Sequence, residues 1–137
     1  MIFENGPPDV LRYEDVPDPA CPDGCVLIEV EAISIEGGDL LARAGSPPPA
    51  TPHIVGYLCA GTVIEVGAGV ESPAVGEKVV ALNADGSHAE KRAVPAVMTW
   101  AIPAGLDPAV RPASRLRSAP RRSASSRPRA SSRGRRR

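Results

Sequence analysis

The side chains in this chain best suited to nucleophilic or metal chemistry are three cysteines and two histidines. Cys21 and Cys25 are separated by three residues and no second pair follows, so they form a weak pattern for a metal site. Cys59 stands in an apolar run, where a small buried thiol is the ordinary interpretation. Neither His53 nor His88 has a recognisable serine or cysteine partner for a catalytic triad. These residues therefore predict neither a metal site nor nucleophilic catalysis.

One helix and one glycine-rich loop are the other local features that could bind a ligand. Asp39 begins the only helical stretch, residues 39–44, where its carboxylate could accept backbone N–H groups as a cap. Gly37 and Gly38, just before it, are typical of a tight turn. The run 67–72 follows a strand pattern but lacks the third glycine and the following helix of a dinucleotide fingerprint. We therefore interpret this run as a loop between strands.

Alternating apolar and polar side chains identify the elements that must carry these residues. A period of two is typical of half-buried strands, and residues 26–33 place Ile28 and Val30 opposite Glu29 and Glu31. Similar runs predict further strands over 62–66, 78–82, 89–94 and 97–102. Turns rich in Gly and Pro separate these strands, and Gly45 is placed to cap the helix. The pattern predicts a mostly β domain, either a barrel or a sandwich, with one short helix.

Charge divides the 137 residues into two unlike parts, although the formal net charge is zero. Residues 1–110 carry five basic and sixteen acidic side chains, whereas residues 111–137 carry eleven arginines and no acid. The second part has no apolar periodicity, so we predict a folded domain over 1–110 and a disordered basic tail over 111–137. The length is that of one domain plus a tail, which excludes a complete two-domain enzyme.

The apolar runs, the first residues and the cysteine count disfavour a membrane or secreted location. No apolar run approaches the roughly 20 residues that cross a bilayer, so no membrane partner is expected. The first six residues have neither a basic region nor an apolar core, so we recognise no signal peptide. Three cysteines do not suggest a disulfide scaffold, and a reduced cytoplasmic location is expected.

Five segments, in order, resemble the start of a medium-chain dehydrogenase/reductase. They are Leu11 to Pro19, Val26 to Ile33 with Asp39, Arg43 and Gly45, Gly56 to Val70, Val75 to Val79, and Gly86 to Glu90. The resemblance covers roughly residues 1–110. It implies a GroES-like, partly open β-barrel with one or two short helices.

Within this superfamily, the residues at two positions distinguish zinc enzymes from zinc-free ones. Zinc alcohol dehydrogenases have a cysteine three residues before the aspartate that corresponds to Asp39 and a histidine eighteen residues after it, since zinc prefers thiolate and imidazole ligands. Here those positions hold Glu36 and Tyr57, and no cysteine follows Cys59 to build a structural zinc lobe. The chain is therefore similar to the zinc-free branch of NADPH:quinone reductases, and we expect no metal.

The resemblance implies hydride transfer from NAD(P)H, with NADP as the expected cofactor, to an electron-poor carbonyl, enone or quinone. It places Glu36, Asp39 and Tyr57 in the cleft as positioning groups, and Glu36, Gly37 and Gly38 beside the cofactor. Each has a simpler alternative: a cap for Asp39, a packed core ring for Tyr57, and a solvated loop acid for Glu36. Zinc-free reductases often have asparagine at the Glu36 position and an aromatic residue at the Leu41 position. A homodimer is a further expectation.

The resemblance stops near residue 110, where a reductase would continue into its nucleotide-binding Rossmann domain. We therefore expect little or no turnover from this chain alone. Its Arg-, Ser-, Pro- and Ala-rich end is also what GC-rich DNA yields in a wrong frame, so we expect a frameshifted or truncated end.

Two other classes of function remain open. The first is a stand-alone β-barrel module that resembles a co-chaperonin. The second is binding of RNA or another polyanion through the arginines of the tail. The tail has no aromatic residue among its arginines for base stacking, so nucleic acid is the weaker alternative.

Overall fold

The computed structural model describes residues 1–45, 47–48 and 50–106. Its five strands are β1 (Cys25–Ile33), β2 (Leu58–Val66), β3 (Lys78–Leu82), β4 (Lys91–Pro95) and β5 (Thr99–Ala101). The helix α1 (Gly37–Gly45) lies between β1 and β2, and two 3-10 turns cover Pro8–Val10 and Ala96–Met98. The predicted basic tail, 111–137, lies outside the described residues.

The strands form one antiparallel sheet in the order β4-β1-β2-β3-β5. β1 is an inner strand of this sheet, because it pairs with β2 on one side and with β4 on the other. The pairing of β1 with β2 shifts register after Leu27 and again after Val30. Such irregularities bend a sheet, which agrees with an open, curved GroES-like sheet. The mostly β fold class is confirmed.

The hydrophobic core is built from one face of this sheet. Its members are the buried side chains Val26, Ile28, Cys59, Val63, Val79, Ala81 and Val94. In β1 the predicted alternation is present from Ile28 onward, since Ile28 is fully buried while Glu29 and Glu31 are exposed. Val26 and Leu27 before it are both buried, so the start of the strand does not alternate. Cys59 belongs to this core, as the interpretation of a small buried thiol predicted.

The observed element boundaries depart from the sequence prediction at several places. β4 covers Lys91–Pro95 rather than 89–94, and β5 covers Thr99–Ala101 rather than 97–102. β2 begins at Leu58 rather than at residue 62, because its first residues pair with β3 from Leu58 onward. α1 begins at Gly37, so Gly37 and Gly38 form its first turn and not the tight turn that was predicted. Gly45 ends α1 without the positive φ of a glycine cap. The run 67–72 lies in the loop between β2 and β3, as predicted.

Candidate functional site

Backbone hydrogen bonds between two distant loops build the candidate site. Residues 53–57 run alongside residues 83–88 just before β2 and just after β3. The Asn83 N–H donates to the Tyr57 carbonyl at 3.0 Å, and the Gly86 N–H donates to the Ile54 carbonyl at 2.8 Å. The Ser87 N–H donates to the Gly56 carbonyl and the His88 N–H to the Val55 carbonyl, both at 3.1 Å. His53 is held further by a two-bond bridge to Ile2, with both N···O distances at 2.8 Å. Backbone hydrogen bonds therefore hold both loops in place.

Tyr57 projects from the first of these loops onto the start of α1. Its ring lies so close to Gly38 that a Cβ at that position would be 2.9 Å from Tyr57 Cε2. This is closer than real Cβ contacts, so the Tyr57 ring can lie here only because residue 38 is a glycine. Tyr57 is half-buried, and its hydroxyl has no hydrogen-bond partner among the described residues.

Asp39 caps α1, but from inside the helix. The Oδ2 atom of Asp39 accepts the N–H of Glu36 at 2.6 Å, which is the contact that the third helical residue makes in a capping box. Asp39 is only 4% exposed, and its Oδ1 atom is buried without a partner within the described part of the chain. Glu36 is exposed and accepts a hydrogen bond from the Ser34 hydroxyl at 3.2 Å. The capping alternative therefore describes what Asp39 does.

A cleft of about 330 Å³ opens beside Tyr57. Its lining is mainly aliphatic, with three polar side chains, and consists of Leu41, Ala42, Pro47, Pro48, His53, Tyr57, Ala84 and Asp85. Glu36, Asp39 and Tyr57 all lie at the first turn of α1, but only Tyr57 lines the cleft. The loop pairing also adds two groups that the sequence analysis did not assign to the site, His53 and Asp85.

His53 and Asp85 face each other on one wall of the cleft. The His53 Nδ1 atom is 3.9 Å from Asp85 Oδ2, and the two side chains are 11% and 46% exposed. No local sequence signal could have found this pair, because its members are joined only by the pairing of the two loops. A histidine beside a carboxylate is a group that can hold or move a proton.

Arg92 of β4 joins the two loops that form the cleft by hydrogen bonds to both of them. Its side chain is buried, at 3% exposure, and its guanidinium donates to the Tyr57 carbonyl at 3.0 Å and to the Asp85 carbonyl. A third contact joins its Nη1 to Cys59 Sγ at 3.5 Å. Sequence analysis missed this residue, because an arginine in an alternating strand ordinarily faces solvent.

His88 lies behind Gly56, on the buried side of the first loop. Burial lowers the pKa of His88 below its usual 6.5, since burial penalises the charged imidazolium. The Met1 ammonium and Arg92 also lower this pKa, whereas the carboxylate of Asp39 raises it. The His88 Nε2 and Ser87 Oγ atoms are buried without partners among the residues described. His88 is therefore a structural side chain that folding favours in its neutral form.

This pKa shift predicts a specific pH dependence of stability. A histidine with a lowered folded-state pKa contributes its full stability above about pH 6.5 and loses it as the pH falls through the folded pKa. We expect the unfolding free energy of the wild type to fall more steeply from pH 7 to pH 5 than that of His88→Phe. Urea denaturation at several pH values measures both curves. Parallel curves would show that His88 does not carry this dependence.

The residues present do not fit a catalytic zinc. Tyr57 packs its ring on Gly38, Glu36 is exposed and bonded to Ser34, and Cys59 lies in the core beside Arg92. Over residues 1–45, 47–48 and 50–106, no three His, Cys, Asp or Glu side chains are grouped so that they could hold a metal ion. The same residues contain no helix that is long and apolar enough to span a bilayer.

The fold and the cleft define a class of protein. The described residues form an open antiparallel sheet with one short helix, and a cleft lies between that helix and the paired loops. The family model for the alcohol dehydrogenase GroES-like domain matches residues 22–104. The chain therefore belongs to this family, and the resemblance to medium-chain dehydrogenases/reductases is confirmed.

Among its relatives are reductases of the same superfamily. The 2-haloacrylate reductase of Burkholderia sp is 34% identical over 112 residues, which cover 78% of this chain and 34% of that protein. The structure of Escherichia coli quinone oxidoreductase complexed with NADPH matches with a TM-score of 0.75 at 28% identity, covering 78% of this chain and 33% of that one. A mycobacterial protein complexed with NADPH gives a TM-score of 0.73 at 36% identity, covering 78% and 34%.

The chain thus spans about a third of the length of these relatives. The matches identify a family of NADPH-dependent oxidoreductases that act on small molecules.

Proposed function

We propose that residues 1–110 form the substrate-side domain of a zinc-independent, NADPH-dependent oxidoreductase that reduces an electron-poor carbonyl, enone or quinone. The observation that supports this most directly is Tyr57. At the position where zinc alcohol dehydrogenases have a histidine ligand, this chain places an aromatic ring that packs on Gly38 and lines an aliphatic cleft. Such a wall suits a flat, electron-poor substrate and offers no ligand set for a metal.

The three predicted site residues have different parts in this proposal. Tyr57 contacts the substrate as a wall of the cleft. Asp39 acts through the helix, since its carboxylate holds the N–H of Glu36 and so keeps the first turn of α1 in place under the Tyr57 ring. Glu36 stays outside the cleft lining and is assigned to the rim.

A bound dihydronicotinamide would supply the hydride. Among the residues predicted beside it, Glu36 and Gly37 are exposed, and a Cβ at Gly37 would meet nothing within 4 Å. Gly38 is covered by the Tyr57 ring, so its proposed contact with the cofactor is through Tyr57. The described residues contain no nucleotide-binding fold, so the phosphates must be bound elsewhere.

The surface of α1 supports the presence of a further domain in the working enzyme. Asp39 is the only buried side chain of this helix, whereas Leu40 and Leu41 are 54% and 71% exposed. Exposed leucines beside a cleft are typical of a surface that another domain covers. We place the nucleotide-binding domain of the oxidoreductase against this surface of α1. We also propose that the protein is located in the cytoplasm.

Quinone binding to the purified 137-residue chain tests this proposal. We expect 1,4-naphthoquinone to shift the NMR signals of residues that line the cleft, and Tyr57→Ala to weaken its binding about tenfold, since loss of an aromatic contact plus its buried area costs on the order of 1–2 kcal/mol. Tyr13→Ala is the matched control, because the other tyrosine is 92% exposed and outside the cleft. Equal binding by wild type and Tyr57→Ala would refute the assignment of the cleft.

An NADPH oxidation assay provides a second readout. With naphthoquinone as acceptor, we expect little or no turnover by the chain alone, because the described residues provide no fold for the dinucleotide. Robust NADPH oxidation would show that this domain binds the whole cofactor by itself, against the proposal.

A further inference from the structure

We propose that His53, oriented by Asp85, is the group that protonates the reduced substrate in the cleft. This inference rests on the proposed function and adds a catalytic residue to it. It starts from the observation that the cleft holds one polar pair, His53 and Asp85, among otherwise mostly aliphatic walls. No family motif identified in the sequence includes His53.

The imidazole is held in place from two sides. The main chain of His53 makes both hydrogen bonds of the bridge to Ile2, at 2.8 Å each, so the residue cannot swing away with its loop. Asp85 Oδ2 lies 3.9 Å from Nδ1, and the main chain of its own loop is bonded at Asn83 and Gly86. Because Nδ1 is the ring nitrogen that faces Asp85, at 3.9 Å, Nε2 is the nitrogen that we assign to a ligand in the cleft.

The burial of the two side chains matches a proton donor and its counter-ion. The His53 side chain is 11% exposed and the Asp85 side chain is 46% exposed, and both residues line the cleft. Tyr57 lines the same cleft, so a substrate packed on its ring lies within the reach of the pair.

Reduction of the substrate requires one proton, and in this proposal His53 supplies it. A bound dihydronicotinamide would supply a hydride, and with it two electrons, to an electron-poor carbon, which would leave an electron pair on the substrate oxygen. The oxygen then takes the Nε2 proton, so an O–H bond forms and an N–H bond breaks. The neutral imidazole regains its proton from water, and Asp85 stabilises the cation that results.

A pair of matched probes separates this role from simple packing. Benzoate carries an aromatic ring and an oxygen anion, and benzamide has nearly the same shape without the charge. We expect His53→Gln to weaken benzoate binding at pH 6 about tenfold, since a hydrogen bond to a charged group is worth on the order of 1.5 kcal/mol, while benzamide binding stays within about twofold. Glu65→Gln, an exposed change at the far end of β2, is the control variant.

The ring ¹⁵N signals of the histidines give a direct readout. The chain has only two histidines, so His53→Gln leaves one set of ring signals and assigns both. We expect benzoate to shift the His53 signals and to leave those of His88 in place, because His88 is not part of the cleft lining. In Asp85→Asn, which keeps His53, we expect benzoate binding to weaken about threefold and the His53 shift to shrink.

Each outcome decides between the two proposals. If His53→Gln loses benzoate and benzamide equally, or loses neither, the role of His53 is overturned while the cleft stands. If neither probe nor naphthoquinone binds the wild type, the cleft itself is wrong, and this inference falls with it. Where His53→Gln fails to fold, Asp85→Asn carries the test, and unchanged benzoate binding there overturns the proposal.

Discussion

Replacing Arg92 with methionine is expected to destabilise the fold by about 3 kcal/mol, because hydrogen bonds from charged groups contribute on the order of 1.5–3 kcal/mol and their loss leaves carbonyls unpaired. The guanidinium is 3% exposed and donates to the carbonyls of Tyr57 and Asp85. Methionine fills much of the same volume but donates to neither. Urea denaturation monitored by circular dichroism measures the loss of unfolding free energy.

The residue beside Arg92 provides the control. Lys91 is paired with the exposed Asp18 at the protein surface, so Lys91→Met should change stability much less. Because Arg92 joins both loops of the cleft, Arg92→Met should also weaken naphthoquinone binding at a temperature where the variant is still folded. A stability loss no greater than that of Lys91→Met would contradict the bridging role of Arg92.

Gly56→Ala should cost about 3 kcal/mol of stability, since a non-glycine residue in an unfavourable backbone region and an overpacked core each cost on the order of 1–3 kcal/mol. Gly56 has φ +106°, and an added Cβ would lie 2.1 Å from Ser87 Oγ and 2.4 Å from His88 Cδ2. Ser87 is fully buried and cannot move aside freely. Thermal and urea unfolding measure the loss.

The same substitution at Gly37 is the matched control. A Cβ at Gly37 meets nothing within 4 Å, and the residue lies in the first turn of α1 without a positive φ. Alanine has the higher helix propensity, so Gly37→Ala should be neutral or stabilising by up to about 1 kcal/mol. Similar stabilities for the two variants would show that the contacts behind Gly56 are not tight.

The strands were predictable to the extent that local alternation defines them. The alternation in residues 26–33 predicted β1 with its buried and exposed faces, and residues 78–82 coincide with β3. β2 was predicted from residue 62 because Cys59, Ala60 and Gly61 are small and show no alternation. Pairing with β3 extends it to Leu58, which is a tertiary effect. The last predicted strand shortens to β5, because a 3-10 turn occupies Ala96–Met98.

The residues of the site were predictable only in part. The order of the motifs identified the family, and it also singled out Tyr57. Tyr57 lines the pocket beside α1, and its contact with a substrate stays a prediction. The assignments of Glu36, Asp39, Gly37 and Gly38 to substrate or cofactor remain predictions. The structure adds a specific contact for Asp39, since its carboxylate holds the Glu36 N–H from the third position of α1.

The β character and the family could be predicted without a structure, because side-chain alternation and motif order are local properties of a chain. Which polar groups meet in the cleft could not be predicted in this way, because it depends on contacts between distant segments. His53 reaches Asp85, and Arg92 reaches the Tyr57 carbonyl, because the backbones of residues 53–57 and 83–88 pair across the end of the sheet. Such contacts depend on strand register and loop pairing, and these arise only when distant segments bury a common core.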